Sequence, residues 1–281
     1  MRLRFVIALL LPLAANAADC DRECLRGTIT QYLNAMVAHK PGALAVSDKL
    51  KFTEDTVTMK LGEGLWKNAS GIGTYRQDIL DVRQGVAASQ VIVEESGMPV
   101  MRMLRLKVAD KKITEVETQV TRTRAEGALF NIGNIKTVSK AMNLMPDRGQ
   151  FSARAEAIKI AELYPAGLKI GSFMEVNTPF AADAYRIENG TISAGTGCAR
   201  AGCENMKAQT IMKHPAITTR VAAVDEEMGI VLLRMNFGDT GSYGPGNALI
   251  VWEAFKVYGG QIHAVEAFMR VMPASAGSGW D

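Results

Sequence analysis

Histidine is rare in this chain, three among 281 residues, and cysteine is nearly as rare, with four. No histidine lies at ligand spacing from either close pair of cysteines, which argues against a zinc site. A net charge of +3 is too small to mark a nucleic-acid binder, and no basic stripe is interleaved with aromatics. Past the N-terminus, no apolar run approaches the roughly 20 residues that a membrane-spanning helix needs. A glycine-rich phosphate loop and a His-Glu-x-x-His pair are both missing. Neither a nucleotide, a metal nor any other cofactor is therefore expected. What is present, 48% hydrophobic and 22% charged residues, is the make-up of a globular protein long enough for one large or two ordinary domains.

Arg2 and Arg4 precede the apolar run Phe5 to Leu13, and Ala15-Asn16-Ala17 follows as an A-x-A cleavage pattern. Residues 1–17 therefore read as a secretory signal peptide. The mature chain is expected in the periplasm or outside the cell, and free of the membrane once the signal is cut. Export into an oxidising compartment makes the even number of cysteines legible as disulfides. Three connectivities are open. The local pairs Cys20–Cys24 and Cys198–Cys203 are favoured, since each closes a short loop without demanding a particular tertiary arrangement.

The mature chain runs twice through one pattern. Leu25, Ile29, Tyr32, Leu33 and Met36 fall at three- and four-residue steps, a helix stripe over residues 24–38 that Pro41-Gly42 stops. Residues 155–164 are the helix of the second half. Val57, Met59 and Leu61 alternate as a strand. Residues 71–81 are ambiguous, a short helix being one reading, and 86–93, 101–108 and 111–120 read as a meander of antiparallel strands. The second half answers with a hairpin over 220–237, turning at Glu226 to Gly229, and strands over 248–257 and 261–271. Four echoes occur in the same order. Phe52-x-x-Asp55 matches Phe180-x-x-Asp183, and residues 58–64 match 184–190. The hairpin 89–106 matches 220–237, and Ile113-x-x-Val116-Glu117 matches Ile262-x-x-Val265-Glu266. Such order indicates duplication: a first domain over 18–126, a linker over 127–151 with a helix within 132–145, a second domain over 152–273, and a flexible tail over 274–281.

A helix, a Phe-x-x-Asp step, a strand ending in glycine, a long hairpin and a closing Ile-x-x-Val-Glu strand resemble the nuclear transport factor 2-like group. That group includes SnoaL-like polyketide cyclases and ketosteroid isomerases. The resemblance implies an α+β architecture of two tandem cones, each a curved antiparallel sheet wrapped around N-terminal helices with an apolar pocket at its mouth. It implies a small hydrophobic or aromatic ligand, a homodimer as an assembly the fold allows, and cofactor-independent proton transfer by a lyase or isomerase. Deformylating lyases of lignin-derived aromatics are among the relatives it brings in. The alternative is a non-catalytic small-molecule-binding or assembly module.

Such a pocket needs a few polar groups on apolar walls. In the second copy the catalytic candidates are Asp183, Tyr185, Arg234, His263 and Glu266. Asn236, Glu253, Trp252 and Tyr243 are the binding candidates, Tyr243 lying in the glycine-rich loop 238–247, a candidate lid. Strict alternation puts His263 and Glu266 on opposite faces unless a bulge intervenes. Glu266 shares its face with Ile262, Ala264 and Phe268, which points to burial, whereas Glu117 shares its face with Glu115 and Gln119, which looks wetter. The second cone, with Glu266 or His263 as its titrating group, is the expected ligand site.

Overall fold

The computed structural model describes residues 20–275 together with Gly277 and Trp280. The signal-peptide reading of residues 1–17 lies outside the described residues. Asp21 opens α1 (Arg22–Val37) by accepting the Cys24 amide on its side chain. The helix buries Leu25, Ile29, Tyr32, Leu33 and Met36, the stripe that the spacing predicts. Each such side chain contributes roughly 1.5–3 kcal/mol when fully buried, so the apolar face holds the helix in place more than its own propensity does. It packs on a six-stranded sheet made of β1 (Val46–Glu54), β2 (Val57–Thr58), β3 (Ala69–Asp81), β4 (Val86–Glu95), β5 (Met98–Ala109) and β6 (Lys112–Thr121). The linker that follows holds α2 (Lys140–Asn143), whose first amides Ser139 caps.

The second unit repeats the first. It has α3 (Arg154–Ile170), β7 (Phe180–Glu188), β8 (Thr191–Gly195), β9 (Thr218–Asp225), β10 (Ile230–Asn236), β11 (Asn247–Tyr258) and β12 (Gln261–Pro273). The strand orders are β2-β1-β6-β5-β4-β3 and β8-β7-β12-β11-β10-β9, one topology used twice. Both units are α+β cones with a curved sheet, antiparallel throughout except where β1 pairs with β6 and β7 with β12. Bulges at corresponding places, between Lys107 and Val108 and between Lys256 and Val257, help bend the sheets around their helices.

Several sequence readings need correction. Residues 71–81 are not a helix; they lie in the 13-residue β3, where pairing with β4 overrides their mixed pattern. The strand expected over 57–61 shrinks to Val57–Thr58, and the linker helix to four residues. Three echoes are set in the wrong register, among them 58–64 with 184–190, since 58–64 follows β1 whereas 184–190 covers the end of β7, the counterpart of β1, and its turn. Val116 pairs with Phe52 and Val265 with Arg186, so Phe52 answers to Arg186, not to Phe180. Asp55 then answers to Asn189, not to Asp183. Both have a left-handed φ, 51° and 46°, and both side chains accept an amide of the closing strand, Val120 at 2.9 Å and Met269 at 2.8 Å. Likewise the turn before Gly229 answers to the turn before Gly85. Both glycines have φ 60°, and their carbonyls accept the Val257 and Val108 amides at 2.7 and 2.8 Å. Strand alternation repeats every two residues, so the even displacement from Phe180 to Arg186 preserves the pattern and hides that error.

The two sheets meet through their outer faces in a reciprocal way. Asp81, at the end of β3, accepts Arg154 at 2.9 and 2.6 Å and the Val224 amide at 2.8 Å. Asp225, its counterpart at the end of β9, accepts Arg22 at 2.7 and 2.9 Å and the Leu80 amide at 3.0 Å. Between these ties lies an apolar layer that includes Ile79, Met103, Leu232, Trp252 and Ala264, closed by Met142 of α2. The molecule thus has one core inside each cone and a third between the cones.

Candidate functional site

Along β11 the side chains of Val251, Phe255 and Val257 point into the second cone, and so does Glu253 between them. From β7, Arg186 enters the same space. Val251, Glu253 and Arg186, together with Tyr164 of α3, line a cavity of about 270 Å³ whose rim carries Arg200, His214 and Tyr243. Arg186 donates to Ser193 Oγ at 2.8 Å, Tyr164 Oη at 2.9 Å and Gln209 Oε1 at 3.2 Å, and its Nε lies 3.2 Å from Glu188. Burial alone would lower its pKa, but Glu188 and Tyr164 outweigh burial and raise it. Glu253 is 1% exposed and its carboxyl is pushed up to about 8, by burial first and by Glu188 second, with Arg186 and Tyr164 pulling the other way. A single guanidinium in a dry pocket does not hold two carboxylates ionised. Glu253, the more deeply buried of the two, keeps its proton near neutrality. His214, buried against Phe237 at 4.6 Å, has no partner for Nδ1, and burial lowers its pKa. This floor is therefore a neutral acid beside an ion pair, under largely apolar walls.

The first cone has none of this at the matching positions. The ladder puts Leu104 where Glu253 stands and Phe52 where Arg186 stands. Its own buried guanidinium, Arg102, is taken up by Tyr32 Oη at 3.0 Å and by Met36 Sδ, and Trp66 Nε1 donates to the same Tyr32 hydroxyl at 2.9 Å.

Glu266 is not in the cone, contrary to expectation. Val257 pairs with Ile262 and Lys256 with Ala264, which leaves His263 as a bulge. Ile262 and Val265 therefore both face inward, while Ala264, Glu266 and Phe268 face outward, toward the other sheet. Glu266 lines a second cavity, about 300 Å³, between the two sheets and beneath the linker. Tyr185 Oη lies 2.8 Å from its Oε1 and 2.6 Å from Ser139 Oγ, and Tyr75 Oη lies 3.5 Å from its Oε2. Burial raises this carboxyl's pKa, and the hydrogen bonds from Ser139, Tyr185 and Tyr75 oppose the rise. Glu117 is not wet either. It is 3% exposed and bonded by Arg220.

The other candidates fall in four places. Tyr243 joins Glu253 at the cone, stacked near His214 at 6.1 Å. Asn236 opens the glycine-rich loop by accepting the Gly238 amide at 2.9 Å. Arg234 and Trp252 lie on the outer face, Arg234 at 3.5 Å from Glu117 and Trp252 under the Arg220 guanidinium. Asp183 is exposed, and His263 is half-buried with its ring on Tyr258 at 3.6 Å, outside both cavities. Arg186, Tyr164 and Glu188 were missed in the sequence. The signal was there: Ala184, Arg186 and Glu188 alternate on one strand face, a charged pair on a face otherwise expected to be apolar. The disulfides Cys20–Cys24 and Cys198–Cys203 form as the short-loop argument favours, and the second carries Arg200 to the cone's rim.

A family described as a domain of unknown function (DUF8021) matches residues 150–269, a stretch running from ahead of α3 into β12. No curated protein matches. Among solved structures the chain is similar to a de novo designed protein with a curved β-sheet, at 17% identity and a TM-score of 0.30, covering 36% of this chain and 88% of that one. It is also similar to an NTF2-like protein of unknown function from Cytophaga hutchinsonii, at 9% identity and a TM-score of 0.28, covering 36% and 90%. At that level of likeness the fold rests on the chain's own strand orders.

Proposed function

We propose that this chain is an exported protein whose second cone binds a small, largely apolar molecule and moves a proton on it without a cofactor. The observation that carries the reading is the Glu253–Arg186 pair at the floor of the cone cavity, where the first copy has leucine and phenylalanine. Glu253, protonated near neutrality, is suited to protonate an oxygen or carbon of the ligand and, once ionised, to take a proton next to a carbonyl. Arg186 and the Tyr164 hydroxyl it bonds are the groups near it that can stabilise negative charge on an enolate or alkoxide. Lyase or isomerase chemistry follows from those roles. Release of formaldehyde from a lignin-derived aromatic is one reaction of this kind. Two disulfides fit an oxidising compartment.

One observation favours the alternative of a binding module. Arg186 is already engaged by Glu188, Ser193, Tyr164 and Gln209, so a ligand has to share it. Exchange of the α-protons of aryl ketones with deuterated water, followed by NMR, separates the two readings. Catalysed exchange should fall by about a hundredfold or more in Glu253→Gln and persist in Glu117→Gln. Ligand binding with no exchange by the wild type would leave the binding module.

A further inference from the structure

The two closing strands carry a glutamate at the same ladder position, and their surroundings differ in kind. Glu117 is held by three arginines. Arg220 Nη2 lies 2.7 Å from both carboxylate oxygens, Arg234 Nε 3.5 Å from one, and Arg105 Nη1 3.9 Å from the other. The space left beside it is about 10 Å³. Strand pairing identifies the counterparts of those arginines around Glu266. Gln77 stands for Arg220, Gln90 for Arg234 and Ala254 for Arg105. All three are uncharged, and the cavity here is about 300 Å³. Among the described residues no lysine or arginine lines it.

The groups that do line it point to a ligand that donates. Gln90 uses Nε2 on the carbonyls of Trp252 and Glu266, at 3.3 and 3.1 Å, and its Oε1 is buried without a partner. Glu266 adds a carboxylate. Tyr75 and Phe268, with ring centroids 6.0 Å apart, give aromatic walls, and Ile135 and Ile187 give apolar ones. Aromatic faces attract cations as well as apolar bodies. The volume suits a compound of one ring, being at the lower end of the roughly 300–1,000 Å³ of small-ligand sites. Asn134 and Thr137, both exposed, mark the way in beneath the linker.

We propose that this cavity between the two sheets binds a small organic ammonium ion, which gives Glu266 the positive charge that three arginines give Glu117. The ammonium pairs with Glu266 and donates to Gln90 Oε1, and the apolar body lies against Phe268 and Ile135. No bond is made or broken. The site is separate from the cone, since Glu253 and Glu266 face opposite sides of the same sheet.

Calorimetric titration of the full mature chain with benzylamine, hexylamine and uncharged benzyl alcohol tests this. Benzylamine or hexylamine should bind at least tenfold more tightly than the alcohol. Glu266→Gln, which keeps the side-chain shape, should erase that preference. Gln90→Arg, which restores the arginine found beside Glu117, should block the amine. Glu253→Gln should leave amine binding intact, so that failure of the cone reading does not touch this one. Equal binding of amine and alcohol, absence of amine binding, or amine binding that survives Glu266→Gln would overturn the proposal.

Discussion

Replacing Glu253 by glutamine tests whether the cone holds a neutral acid. The carboxyl's pKa is about 8 in the folded chain against an ordinary 4.5. Below pH 4.5 the folded and unfolded chains both hold the proton, and stability does not depend on it. Between 4.5 and 8 the unfolded chain has lost the proton and the folded chain has kept it, so stability falls as pH rises, by about 1.4 kcal/mol per pH unit. Above 8 the folded chain loses it too and the fall levels off. Glutamine has the same shape and no proton to lose. The variant should therefore gain on the wild type with rising pH, by about 4 kcal/mol between pH 4.5 and 7.5. Urea unfolding of both proteins at pH 5, 6, 7 and 7.5, with disulfides intact, gives the difference. Asp55, Glu117 and Glu266 are also raised, but they are common to both proteins and cancel. A difference that stays flat with pH would mean that Glu253 is ionised when folded and that Arg186, not burial, sets its charge. The role of Glu253 as an acid at neutral pH would then fall.

Glu117→Gln should destabilise the chain by about 3 kcal/mol, because it leaves Arg220, Arg105 and Arg234 facing one another at the contact between the sheets. A urea midpoint unchanged from the wild type would show that the cluster relaxes into solvent. Replacing Cys198 and Cys203 by serine should cost about 2 kcal/mol by the loop-closure relation. It should also expose the segment 198–209 to limited proteolysis and weaken binding in the cone, since Arg200 and Gln209 line it. Unaltered protease resistance together with unaltered binding would refute the role of this disulfide in shaping the rim.

Much of the fold was legible because its signals are local. The α1 stripe, the β11–β12 hairpin and the short-range disulfides each depend on residues close in sequence, and all three formed as read. The site was less legible because its geometry hangs on one bulge. Read at strict period two, Ile262 and Glu266 share a face. With His263 extruded, Ile262 turns into the cone and Glu266 turns away from it. Nothing local marks His263 as the residue that slips; the mate across the sheet decides it. The same limit applies to Glu117. Its neighbour Gln119 is polar yet buried because it donates to the Ile250 carbonyl of the other copy, and Glu117 itself meets Arg220 there, contacts separated by more than a hundred residues.

Fusing two copies in one chain is what permits these differences. In a dimer of identical chains every substitution appears twice, so a glutamate cannot be caged by arginines at one position and left open at its symmetry mate. Here Arg220, Arg234 and Arg105 close one side, while Gln77, Gln90 and Ala254 leave the other open. The cones diverge in the same manner, with Leu104 and Phe52 against Glu253 and Arg186. Each buried acid without a full counter-charge lowers stability, and both the Glu253 and Glu266 cases lie in the second copy. The first copy's cone is filled instead, by Tyr32 packed edge-on to Trp66 at 5.2 Å and by Arg102. The paired ties Asp81–Arg154 and Asp225–Arg22 join the two units at matching points, so that unfolding the second copy also breaks contacts of the first. The second copy can then hold one polar cavity inside it and share another with the first, because the two halves are bound at matching points.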